Sequence, residues 1–139
     1  MILVTAVLLA FPGALAGGYL TGLADHGSSR GALLRLVGAA AAPNASASLR
    51  IGVADPAGNR PLRLSVAGLP DVRRGYYELF LVEHGTWRSC GGFFAAARSA
   101  RTTVGLSLRY RLGAGDRWIV TQERPGLPDP GIAVLRGSM

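Results

Sequence analysis

The sequence has no lysine, a single cysteine, two histidines and eight carboxylates among its 139 residues. Each shortage closes off a class of chemistry. The lone Cys90 excludes a disulfide within the chain and any site built from several thiolates. It is expected as a small semi-buried residue at a strand end; an intermolecular disulfide would need it exposed. His26 lies in a polar stretch and His84 beside Gly85, and neither has ligand-type residues at metal-binding spacing. Ser89-Cys90-Gly91 offers a nucleophile with no base to nominate, and no Gly-x-Ser-x-Gly elbow is present. No catalytic, cofactor or metal constellation can be assembled, so neither an enzyme nor a small-molecule substrate is expected.

The basic residues are all arginine, 15 of them, and the net charge is +7. Such a balance favours anionic surfaces such as lipid headgroups or wall polymers. The arginines are spread along the chain and no nucleic-acid motif accompanies them, so nucleic acid is not expected as a partner. Hydrophobic residues make up 49% of the chain, enough for a packed core, and 20 glycines and eight prolines suit many tight turns.

Charge is also missing from Ile2 to Ala24. As a helix rising about 1.5 Å per residue, that run would cross the roughly 30 Å hydrocarbon layer of a bilayer. It reads either as a transmembrane anchor or as a signal peptide. In the second case Pro12-Gly13 breaks the helix and Ala14-Leu15-Ala16 supplies a small-x-small cleavage pattern. Residues 1–24 are thus expected as anchor or leader, 25–31 as a polar linker and 32–139 as a folded domain.

The remainder reads as about eight short strands. Expected spans are Leu33 to Ala39, Ser48 to Ala54, Leu62 to Ala67, Tyr76 to Val82, Gly91 to Ala97, Val104 to Leu112, Arg117 to Gln122 and Ile132 to Arg136. Leu49, Ile51 and Val53 alternate with Arg50, and Leu62, Leu64 and Val66 with Arg63 and Ser65, the period of a strand with one buried face. From Tyr76 to Val82 only Glu78 interrupts the apolar run, so that strand is expected to be covered on both faces. Asp55, Asp71, Asp116 and Asp129 fall beside Pro, Gly or Arg, where Asp caps turns locally. Short strands at this spacing predict an antiparallel β-sandwich, immunoglobulin-like, preceded by one apolar helix.

Three stretches also resemble a known family. Gly68-Leu69-Pro70, a spacer with Gly75, then Tyr77-Glu78-Leu79-Phe80-Leu81-Val82 comes first. Gly92-Phe93 follows, and then Val120-Thr121-Gln122-Glu123-Arg124-Pro125 ahead of Val134-Leu135. In this order they are similar to the extracytoplasmic C-terminal domain of bacterial anti-sigma-K factors, over roughly residues 45 to 139. The resemblance implies an outer domain on a single-pass span in the cell membrane, acting with a site-specific protease and a sigma-factor system. In that family a cytoplasmic zinc-binding half precedes the span. This chain opens on the apolar run itself, so that half is expected to be encoded elsewhere, to lie upstream of Met1, or never to have been present. Arg30 and Arg35 beyond the run would by charge place that end inside the cell; the resemblance places it outside.

Two functions are weighed. One is the non-catalytic sensor or regulatory domain of an anti-sigma system, controlled by proteolysis in the 25–30 linker. The other is a secreted or anchored module that binds an anionic envelope component through a basic face. Trp87, Arg109 and Arg111 are the expected contact surface for the second. Gly68, Leu69, Pro70, Gly75, Tyr77, Glu78, Leu79, Val82, Gly92, Phe93, Val120, Thr121, Glu123 and Pro125 are expected to be structural. A buried unpaired carboxylate is costly, so Glu78 is expected either at a solvent-facing edge or paired with an arginine such as Arg109, and Glu123 similarly.

Overall fold

The computed structural model describes residues 31–95, 100–126 and 128–139. The apolar run and the linker up to Arg30 lie outside the described residues, as do Ala96 to Ser99. Among the described residues no helix is long and apolar enough to cross a membrane.

The described chain is all-β. Eight strands run β1 (Ala32–Gly38), β2 (Ser46–Ile51), β3 (Arg60–Ala67), β4 (Tyr76–Glu83), β5 (Thr86–Phe93), β6 (Thr102–Leu108), β7 (Arg117–Glu123) and β8 (Ile132–Ser138). They form one antiparallel sheet in the order β5-β4-β7-β8-β1-β2-β3-β6. The end strands β5 and β6 touch, so the sheet is nearly closed. Its shortest strand pairing is between β1 and β8, which pair only at Val37↔Arg136 and Gly38↔Leu135. On one side of that pairing lie β1, β2, β3 and β6; on the other lie β8, β7, β4 and β5.

The inward side chains of both halves make one core. Leu36, Leu49, Ile51, Leu62, Leu64 and Val66 come from the first half, and Tyr77, Leu79, Leu81, Trp118, Val120, Val134 and Leu135 from the second. Full burial of each such side chain contributes about 1.5–3 kcal/mol. The period of two carries this arrangement: from Leu62 onward Arg60–Ala67 alternates buried residues with half-buried or exposed ones. In β4 the run from Leu79 to Val82 is buried without a break. Phe80 and Val82 point outward but meet Ile119 and Ala133 in a second, smaller apolar cluster.

The eight expected strands are present, with three corrections of extent. Gly91 to Ala97 is not the fifth strand; β5 begins at Thr86, because His84 (φ 47°) and Gly85 (φ 86°) make a two-residue hairpin turn. Both positive φ angles match the turn type whose twist suits a hairpin. β6 ends at Leu108, so Arg109 to Leu112 leave the sheet. β2 ends at Ile51, and Val53 is 58% exposed rather than inward. The Asp55–Asn59 turn is as expected: the Asn59 N–H donates to the Asp55 carboxylate at 2.8 Å.

Candidate functional site

Strand pairing brings the three family-like stretches together. Leu79 stands opposite Val120, Glu78 opposite Thr121, and Tyr76 opposite Glu123. The Tyr77 ring packs on Phe93 with centroids 5.7 Å apart, and its hydroxyl donates to the Pro70 carbonyl. That bond ties the Gly-Leu-Pro turn to the strand it precedes. Leu69 is buried, and Gly68 lies against the Asn44 carbonyl, where a side chain would crowd the β1–β2 loop. Gly75 lies against the backbone of Glu123, and Gly92 against the ring of Tyr76. Pro125 opens an exposed turn after β7. All but Pro125 therefore serve as packing or pairing positions of β4 and its neighbours.

Among the described residues no arginine pairs with Glu78 or Glu123. Glu78 accepts a hydrogen bond from the Ser89 hydroxyl across the β4–β5 pair. Glu123, buried, accepts from the Thr121 hydroxyl and from the Gly131 N–H at 2.9 Å. Arg109 lies past the end of β6, out of the sheet that was expected to present it. Hydroxyls and a backbone N–H thus solvate carboxylates that were assigned to arginine. Among the described residues the one salt bridge joins Arg88 to Glu83 at 3.4 Å.

Carboxylates gather instead. Oxygens of Glu78, Glu123 and Asp129 lie within 4.8 Å of one another. A hydrogen bond to Glu123 and the charges of Glu123 and Glu78 push the Asp129 carboxyl above its ordinary value. The nearby Tyr76 phenol is also pushed up, first by the charge of Glu78. Two carboxyl groups at this distance keep a proton between them more readily than either does alone. The same oxygens are of the type that hard divalent cations take, but several of their lone pairs already accept internal donors. No local spacing links these three residues; only the β4–β7 register and the β7–β8 loop do.

Ser89 is held locally. Its oxygen accepts the Gly91 N–H at 3.2 Å while its hydrogen goes to Glu78. Cys90 is buried in the core, and burial pushes its thiol up to about 11. Asp116 is also buried and accepts the Gly113 N–H at 2.6 Å, the local role expected of it.

The expected contact surface is divided. Trp87 is 39% exposed and rests edge-on against Phe80, with centroids 5.4 Å apart. Its neighbours are Arg117 and Arg136, around a pocket of about 390 Å³. Arg109 and Arg111 are exposed in the β6–β7 loop on either side of Tyr110, whose ring receives the Arg88 guanidinium at 4.9 Å. Arg88 and Trp87 are consecutive in a strand and point to opposite faces.

A basic face lies on the other half of the sheet. Leu33, Arg50, Arg63 and Gly105 form one row across β1, β2, β3 and β6; Arg35, Ser48, Ser65 and Thr103 form the next. Leu33, Ser48, Arg50, Arg63 and Ser65 line a shallow pocket of about 160 Å³. The four strands contain no acidic residue.

Comparison with protein-family models, with curated proteins and with solved structures found no match.

Proposed function

We propose that this chain is the extracytoplasmic sensor or regulatory domain of an anti-sigma factor system, non-catalytic and held at the cell membrane by residues 1–24. The finer fold proposed with it is an immunoglobulin-like sandwich. In that reading β6-β3-β2-β1 and β8-β7-β4-β5 are its two sheets, and the short β1–β8 pairing is its corner. One observation carries the reading. The three stretches that resemble the family interlock around β4, through Tyr77 to Phe93, Gly75 to Glu123 and Leu79 to Val120. Residues chosen for resemblance thus act as a set in the fold. Regulation would come from a site-specific protease acting on the linker before β1, and the sigma-factor partner would be met by a cytoplasmic portion not contained in this sequence.

The test begins with the native protein in its own membrane fraction. An integral-membrane product whose loss changes sigma-dependent transcription supports the role. Recovery only from the medium, shortened up to Ala16, would overturn the anchored sensor.

The basic face favours the second reading, a module for an anionic envelope component. Arg63 stands on that face beside Leu33, Ser48 and Ser65, in strands that contain no acidic residue. Binding of the chain to an acidic wall polymer that weakens as salt rises, and weakens further in Arg63→Thr, supports it. Equal binding by that variant removes the face from consideration.

A further inference from the structure

The outer face of β5, β4, β7 and β8 carries two ordered rows. Trp87, Val82, Arg117 and Ser138 form one; Ser89, Phe80, Ile119 and Arg136 form the next. Arg117 and Arg136 are therefore diagonal neighbours on adjacent strands, about 7–8 Å apart at the backbone. Trp87 lies two strands from Arg117, about 10 Å away at the interstrand spacing. Between them Ile119 lines the pocket, packed in one buried cluster with Phe80 and Val82. The edge contact with Phe80 fixes the plane of Trp87. Both arginines are exposed, and among the described residues neither has an ion-pair partner. No carboxylate belongs to either row.

We propose that this pocket of about 390 Å³ binds a small ring-bearing oxyanion, its ring against Trp87 and its phosphate or carboxylate between Arg117 and Arg136. The volume falls in the range of small-molecule sites, and the lining has their usual form, an apolar wall with a few convergent polar groups. Two guanidiniums on adjacent strands repel until an anion lies between them. The planar fork of arginine suits a tetrahedral or planar oxyanion, and Ser138 adds a hydroxyl at the same edge. The sensor role proposed above is not needed for this site, which is a property of these four strands.

The probe is phenyl phosphate, titrated into the full chain in a non-ionic detergent and followed by the two indole N–H resonances. Trp87 should shift in a saturable way. Trp118 also lines the pocket, so the control is the methyl resonances of Leu49 and Leu64, wholly buried and outside it, which should keep their positions and report an intact core. Arg117→Gln and Arg136→Gln should each weaken binding about tenfold, the loss of one charge-assisted contact. Inorganic phosphate and phenol, each carrying half of the ligand, should also bind at least about tenfold more weakly. Trp87→Ala should lose the ring contact while Trp87→Phe retains most of it, and the two arginine variants decide the matter if the alanine variant does not fold. Phosphate binding as tightly as phenyl phosphate would reduce the site to a charge patch and overturn the proposal. Unchanged affinity in both arginine variants overturns it too. So does a Trp87 shift with phosphatidylglycerol vesicles but none with phenyl phosphate, which would make the face a membrane contact.

Discussion

Gly75 gives the sharpest test of how the family-like stretches lock together. A methyl group added there would run into the Glu123 carbonyl and lie 2.7 Å from a Val72 methyl. Val72 can turn aside. The carbonyl cannot, because β7 is paired on both sides, to β4 and to β8. Gly75→Ala must therefore push β7 from the start of β4, and overpacking of this kind costs about 1–3 kcal/mol. Urea unfolding followed by Trp118 fluorescence should show a midpoint lower by about 1 M at a typical urea slope of about 1–3 kcal/mol/M.

Two other glycines separate this cause from a general glycine effect. At Gly85 an added methyl meets nothing within 4 Å, but φ is 86°. Gly85→Ala should cost about 1–2 kcal/mol through the left-handed backbone alone. At Gly105 the space is also open and φ lies outside the left-handed region. Gly105→Ala should stabilise by about 0.5–1 kcal/mol, since alanine loses less freedom on entering a strand. If Gly75→Ala falls with Gly105→Ala, on the stabilising side, the close approach of β4 to Glu123 is wrong and the interlock fails with it.

Tyr77→Phe removes the hydroxyl that donates to Pro70 and should cost about 0.5–1.5 kcal/mol in the same unfolding assay, while keeping the stack on Phe93. For the carboxylates the sign follows from the direction of each shift. Asp129 is raised in the folded state, so its contribution is full below its ordinary value of 3.8 and is lost as pH rises through its folded value. Asp55 is lowered, chiefly by the Asn59 N–H, so its contribution is present above 3.8 and is lost as pH falls through its folded value. Asp129→Asn should therefore melt higher than the parent chain at pH 7, with the gain vanishing near pH 3 to 4; millimolar calcium that raises the melting point of the parent alone at pH 7 would replace proton sharing by cation binding. Cys90, buried with its thiol pushed up to about 11, should resist iodoacetamide at pH 8 in the folded chain and react only on unfolding.

The strands were legible where one side chain in two is apolar and the pairing is regular. Leu49, Ile51, Leu62, Leu64 and Val66 were placed inward by alternation alone, and they are inward. Alternation failed where something else sets the chain's path. In β5 only Cys90 and Phe93 of the inward residues are apolar, and a bulge at Cys90 shifts the register between Ser89 and Gly91. A polar edge strand with a bulge has almost no periodic signal. The turn residues His84-Gly85 would have found it, since two positive φ angles in a two-residue loop fix where the next strand must begin. In β6 the alternation continues through Tyr110 and Leu112, yet pairing stops at Leu108, because β3 supplies no partner beyond Arg60.

The candidate sites were less legible for a related reason. Glu78 and Glu123 were each noticed as carboxylates in need of a partner, and opposite charge was the simplest one. Their partners turned out to be Ser89 across one strand pair, and Thr121 and Gly131 along another. Asp129 joins them from a loop. Trp87 and Arg117, with Arg136, are likewise joined only by register: Val82 opposite both Trp87 and Arg117, and Ile119 opposite Arg136. Distances of this kind depend on which strand lies beside which, and the order β5-β4-β7-β8 is not sequential. A chain that turns back on itself twice before pairing leaves its composition readable and its surfaces unreadable. That is also why the arginines, spread evenly in sequence, divide in space. Arg35, Arg50 and Arg63 lie in a half whose strands carry no acid; Arg117 and Arg136 lie in the half that carries the carboxylates, but in rows that exclude them. A net charge of +7 would predict one diffuse basic surface. Strand order instead divides the arginines between two faces, one beside serines and one beside a tryptophan, so the two proposed anion sites are tested by separate substitutions.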